Sequence, residues 1–149
     1  MKVLLLDTNV VSILFKPDHS FHSRCFNTVS GQQWCISFMT RSELLLWPRV
    51  NLWGEHRREE LWKHMDLCTT LFPDEHTCAH WADIVAESRK AGRAITDADA
   101  WIAATARQWD IPLVTADYRG LRTPCRLDHR TDTLRLFAAH SAGRAFSVK

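Results

Sequence analysis

Asp7, Glu43, Asp99 and Asp117 are the residues of this 149-residue chain best suited to chemistry, because each falls where a strand-like run gives way to a helix-like one. Carboxylates gathered without a counter-ion repel one another: at an effective dielectric of ~20, two unit charges ~5 Å apart cost about 3 kcal/mol. A set made only of oxygen donors suits Mg²⁺ or Mn²⁺, which accept carboxylates and water, better than zinc, which favours His and Cys. Two such ions ~3.5–4 Å apart would activate a water and stabilise the leaving oxygen of a phosphodiester. The constellation therefore points to metal-dependent phosphoryl transfer and to hydrolysis of a nucleic acid. That scheme needs no general-base histidine, and none lies beside the acids in sequence.

The elements that must position these acids follow from the hydropathy pattern. Residues 3–6 are a continuous apolar run suited to a central parallel strand, and Val10, Val11 and Leu14 continue at helical spacing after Asp7. A second strand is expected at residues 34–37. Thr40 then opens a helix with Glu43 in capping-box position, and Pro48 ends it. A helix through residues 61–66 leads to a short strand at 69–72, and Asp74 begins a helix whose buried face is Cys78, Trp81, Ala82 and Val85. Thr96 opens another, followed by a strand at 111–115, a fifth strand at Arg126 and Leu127, and a helix around 134–139. Alternating strands and helices imply a three-layer α/β domain, with a central parallel sheet of about four to five short strands flanked by helices. Ligands of such sheets bind outside the carboxyl ends of the strands, and all four acids would share that edge.

Each acid also has an ordinary use. Asp7 suits a helix cap, Thr40-x-x-Glu43 and Thr96-x-x-Asp99 suit capping boxes, and Asp117 suits a turn. Capping alone does not account for their convergence on one edge, where three lie within or beside apolar runs and an unpaired charge is costly to bury.

With 46% hydrophobic and 24% charged residues, the chain has the make-up of one globular domain over residues 1–149. It shows no secretory leader and no membrane-spanning run, which together predict a cytoplasmic protein. Five scattered cysteines without a Cys-x-x-Cys pair predict buried thiols rather than disulfides. A net charge of +2 excludes a polybasic nucleic-acid binder, so Arg41, Arg57, Arg58, Arg89, Arg93, Arg119 and Arg122 gain meaning only from a groove argued independently. His76, Cys78 and His80 lack the second ligand pair of a zinc site, and no glycine-rich phosphate loop is present.

Four segments together resemble the PIN-domain ribonucleases, and within them the VapC-like toxins of type II toxin–antitoxin pairs. They are Leu5-Leu6-Asp7-Thr8-Asn9, Ser37-x-x-Thr40-x-x-Glu43-Leu44, the run Ile95-Thr96-Asp97-Ala98-Asp99-Ala100-Trp101-Ile102-Ala103-Ala104, and Leu113-Val114-Thr115-Ala116-Asp117. The likeness spans residues 1–121, with 122–149 outside it. It implies an endoribonuclease in which Asp7, Glu43, Asp99 and Asp117 bind Mg²⁺ or Mn²⁺, with Asn9 and Thr115 orienting ligands or water. An RNA substrate, a small antitoxin protein and a homodimer are the partners implied. Asp97 is either an accessory ligand or a first-turn charge serving the helix dipole, and the second is preferred. One departure is Leu45-Leu46-Trp47-Pro48, where many relatives carry a glycine soon after the Glu-Leu pair, so the loop bordering the site differs. The alternatives are a non-toxin nuclease of the same fold and an inactive RNA-binding or protein-binding module. For a partner surface, the helical faces at residues 61–65 and 81–85 are candidates, with core packing the plainer reading.

Overall fold

The computed structural model describes residues 1–92 and 95–116, and the backbone of 126–128. In chain order the elements are β1 (Val3–Leu6), α1 (Thr8–Phe15), α2 (His22–Val29), β2 (Gln33–Ser37), α3 (Phe38–Val50), α4 (Glu55–Met65), β3 (Thr69–Leu71), α5 (Glu75–Lys90), α6 (Asp97–Trp109), β4 (Leu113–Thr115) and β5 (Arg126–Asp128). The sheet order is β3-β2-β1-β4-β5, with the first four strands parallel and β5 antiparallel at the edge. In register, Leu5 faces Cys35 on one side and Leu113 on the other.

β1 is central because it can be buried on both faces. Its two-residue period sends Leu4 and Leu6 into a core with Val10, Ile13, Val29, Leu44, Leu61 and Met65. Leu5 goes to the opposite core, with Ile84, Ile102, Ala103 and Leu113. Helices α1 to α4 thus cover one face of the sheet, and α5 and α6 cover the other. The change of face has a topological cause. From β1 the chain moves outward to β2 and β3, then crosses back over β1 to β4, and right-handed crossovers require the returning helices to lie on the opposite face. The strand order therefore reverses at the β1/β4 junction, where doubly wound sheets open a crevice.

Several boundaries depart from the sequence reading. α3 starts at Phe38, with Ser37 as its cap: the Ser37 hydroxyl accepts the Thr40 N–H at 3.0 Å, so Thr40 is already inside the helix and Glu43 lies a turn further on. Pro48 does not end α3. It is buried, and the chain keeps one more turn because Asn51 N–H donates to the Trp47 carbonyl (3.0 Å) and Trp53 N–H to that of Pro48 (3.0 Å). On α5 the buried residues are Thr77, Ile84 and Ser88, while Cys78 and Ala82 face solvent and Trp81 and Val85 are half-buried. Among the described thiols Cys78 is likewise the exception, since it is exposed while Cys25, Cys35 and Cys68 are buried. Burial pushes the Cys68 thiol up to about 12. The helix expected around residues 134–139 lies outside the described residues. Among the described residues no helix is long and apolar enough to cross a membrane.

Candidate functional site

At the β1/β4 junction, Asp7, Thr8, Asn9, Glu43, Leu46, Trp47, Asp99 and Ile102 line one cavity of about 290 Å³. The residues come from three elements. Asp7 leaves the end of β1 in extended backbone and occupies the cap position of α1, its carbonyl accepting the Val11 N–H at 3.1 Å. Its carboxylate makes no cap hydrogen bond. That side chain is only 4% exposed, and Oδ2 accepts from the Thr115 hydroxyl at 2.8 Å, while its backbone N–H donates to the Val114 carbonyl at 2.9 Å. The residue is thus pinned from both its backbone and its side chain by β4.

Glu43 reaches the cavity from α3. The Thr8 hydroxyl donates to Glu43 Oε2 and lies 3.2 Å from the Thr40 hydroxyl, which is in turn 3.2 Å from that of Ser37. Burial raises the Glu43 pKa, the Asp99 charge raises it further, and the Thr8 hydrogen bond works the other way. The like-charge effect shows that Glu43 and Asp99 feel each other across the cavity. Asp99 sits in the first turn of α6, its N–H donating to the Thr96 cap hydroxyl at 3.1 Å.

Three of the four acids expected from sequence, Asp7, Glu43 and Asp99, therefore line one cavity, and Asp117 lies outside the described residues. Asn9 lines it too. Thr115 acts on it through Asp7, and Asp97 is exposed and does not line it. Thr8 stands in the Asp7-Thr8-Asn9 run, but its hydrogen bond to Glu43 is not evident from sequence. The run does show its place directly after Asp7 at a helix start, where a first-turn hydroxyl faces the same edge. Leu46 and Trp47 were likewise noted only as a departure, yet both line the cavity.

The donor set fits a hard divalent cation: carboxylate oxygens in a partly buried pocket, with like-charge strain that a cation would relieve. Among the described residues no three His, Cys, Asp or Glu side chains close up into a ready-made cage.

Residues 4–125 match the PIN domain family. The chain belongs to that family. This PIN domain is 27% identical over 118 residues to Ribonuclease VapC1 of Haemophilus influenzae strain R2866, covering 76% of this chain and 85% of the relative. Among solved structures, FitAcB from Neisseria gonorrhoeae superposes with a TM-score of 0.64 at 29% identity, covering 76% of this chain and 87% of that one. VapBC2 from Rickettsia felis, solved bound to a DNA fragment from its promoter, gives 0.68 at 17% identity, covering 82% and 93%. At that identity the likeness speaks for the fold, and it bears out the three-layer α/β domain.

Proposed function

We propose that this PIN domain is a Mg²⁺- or Mn²⁺-dependent endoribonuclease, acting in the cytoplasm as the toxin of a toxin–antitoxin pair. Asp7, Glu43, Asp99 and Asp117 would hold the cation. The observation that carries the reading is the convergence of Asp7, Glu43 and Asp99 on one cavity at the strand-order reversal. The ribonuclease name of the curated relatives and the VapBC complexes among the structural neighbours support the substrate class and the antitoxin partner. A homodimer belongs to the same reading.

When bound, the cation supplies Lewis-acid polarisation and neutralises charge on the phosphodiester. The protein's own part is positional. Thr115 fixes which Asp7 oxygen faces the cavity, and Thr8 does the same for Glu43. Trp47, Leu46 and Ile102 supply an apolar wall that limits water around the carboxylates.

Purified protein is expected to cut single-stranded RNA with Mg²⁺ or Mn²⁺ present and to stop on chelation; no cleavage of any RNA with Mn²⁺ present would remove the nuclease reading. Cation at about tenfold above its Kd is expected to stabilise the fold by about 1.4 kcal/mol, a rise in Tm of about 3–6 °C at this chain length. Unchanged melting across millimolar Mg²⁺ and Mn²⁺ would show that the cavity holds no ion.

Thr115→Val keeps the shape of the side chain and removes the hydroxyl that orients Asp7. Cleavage is expected to fall about 10–100-fold, with the Mg²⁺ midpoint shifted upward. Steady-state kinetics across a Mg²⁺ titration check it, and a wild-type midpoint would leave the hydroxyl without a role in the site.

A further inference from the structure

Thr40 is 0% exposed in the first turn of α3, yet its hydroxyl is not what caps the helix. Ser37 Oγ makes the cap by accepting the Thr40 backbone N–H at 3.0 Å, and a valine at position 40 would keep that bond. A hydroxyl shut away from water is costly unless it is hydrogen-bonded. That of Thr40 stands between two others, 3.2 Å from Ser37 Oγ and 3.2 Å from Thr8 Oγ1, and the Thr8 hydroxyl in turn donates to Glu43 Oε2. Ser37 ends β2, Thr40 and Glu43 lie about one turn apart on α3, and Thr8 opens α1, so the four residues tie the two helices together at the strand ends.

Proton counting gives this row a direction. Each hydroxyl has one proton, and a carboxylate only accepts. Thr8 directs its proton to Glu43, so in its contact with Thr40 it accepts and Thr40 donates. Thr40 then accepts from Ser37, which donates. Ser37 Oγ also accepts the Thr40 N–H, so the row starts on a backbone amide and ends on Glu43 Oε2. At 3.2 Å each inner link is long for a hydroxyl pair and weak alone. Pointing one way, the links polarise one another and act together on a single oxygen. With an apolar residue at position 40, the Thr8 hydroxyl would keep its proton but lose the donor that fixes its rotation.

We propose that Thr40 is a positioning residue for the cation site: its hydroxyl, backed by that of Ser37, holds the Thr8 proton on Glu43 and so sets the orientation of the Glu43 carboxylate before a cation arrives. The inference rests on the metal-dependent reading, which counts Glu43 among the ligands. It accounts for two fully buried hydroxyls behind the cavity where the helix cap needs only one. It also accounts for a difference between the acids. Asp7 has a short side chain at a strand end, and one hydroxyl, that of Thr115, orients it. Glu43 has a further rotatable bond and comes from a helix, so more freedom must be removed, and the row that removes it is rooted in the end of β2.

The test is calorimetric titration of the protein with Mn²⁺ alone. Thr40→Val, which keeps the side-chain shape and the Ser37 cap, is expected to raise the Mn²⁺ Kd about 3–10-fold, the range of one hydrogen bond. Thr40→Ser, which restores the hydroxyl, should return the Kd to within about twofold of wild type although it deletes a buried methyl. Because Thr40 acts through Thr8, Thr8→Val/Thr40→Val should bind Mn²⁺ no more weakly than Thr8→Val. Should Thr40→Val melt below the assay temperature, Thr40→Ala enters the same comparisons. A wild-type Kd in the folded Val or Ala variant would overturn the proposal, as would a loss that Thr40→Ser does not repair or losses that add in the double variant. Wild-type protein that binds no Mn²⁺ would instead sink the cation reading itself, and this inference with it.

Discussion

Asp7→Asn is expected to lower RNA cleavage by at least about 10³-fold, the equivalent of about 4 kcal/mol of barrier, without lowering Tm. The substitution is nearly isosteric, and the Thr115 hydroxyl that now donates to Oδ2 finds an amide oxygen in the same place. No packing is lost at a side chain that is 4% exposed. What disappears is one negative charge in a cavity where burial and the Asp99 charge already disfavour ionisation of Glu43, so the cation-free fold should hold its stability or gain slightly. The same loss removes a charged cation ligand, so Mg²⁺ should no longer raise Tm. Cleavage assays paired with melting at zero and saturating Mg²⁺ separate these effects. Residual cleavage within tenfold of wild type would place the chemistry elsewhere, and a large fall in the cation-free Tm would make Asp7 a structural residue.

Asp7 was legible because its signal is local: an apolar run buried on both faces ends at a charge, and only an edge of the sheet tolerates that. Asp99 was legible for a similar reason, since Thr96 caps the helix and places the acid in its first turn. Where two local signals overlapped, the reading went astray. Ser37 and Thr40 both suit a helix start, and the choice was made by the end of β2, which brings Ser37 to the cap position. α2 passed unseen because it is only eight residues long and buries just Cys25 and Val29. On α5 the hydropathic residues pointed to Cys78 and Ala82, but packing against α6 buries Thr77 and Ser88 instead. Thr77 N–H donates to the Asp74 carboxylate at 3.0 Å, and its hydroxyl contacts Gln108 of α6, so a polar residue serves as a core contact. Thr8 belongs to the same class. Its value lies in a hydrogen bond to Glu43, 35 positions away in sequence, which nothing local announces.

Leu44→Ala should produce the opposite signature, a loss of stability of about 2–5 kcal/mol with the chemistry preserved. Leu44 is 0% exposed and follows Glu43 directly on α3, so adjacent side chains of one helix serve the core and the cavity. Truncation leaves a void beside Leu4, Leu6, Val10 and Leu61, and for a chain of this size Tm should fall by about 5–15 °C. Glu43 is held by the Thr8 hydroxyl and the Asp7 carboxylate by the Thr115 hydroxyl, hydrogen bonds in which Leu44 takes no part. Well below the new midpoint, kcat/KM should therefore stay within about threefold of wild type, and Mg²⁺ should still raise Tm. A Leu44→Ala protein that is folded at the assay temperature yet inactive would mean that the position of α3, rather than the Thr8 hydrogen bond, sets where the Glu43 carboxylate stands. Thr8→Val would then be expected to leave cleavage unchanged, whereas if the hydroxyl is the anchor it should weaken cleavage by about 10–100-fold.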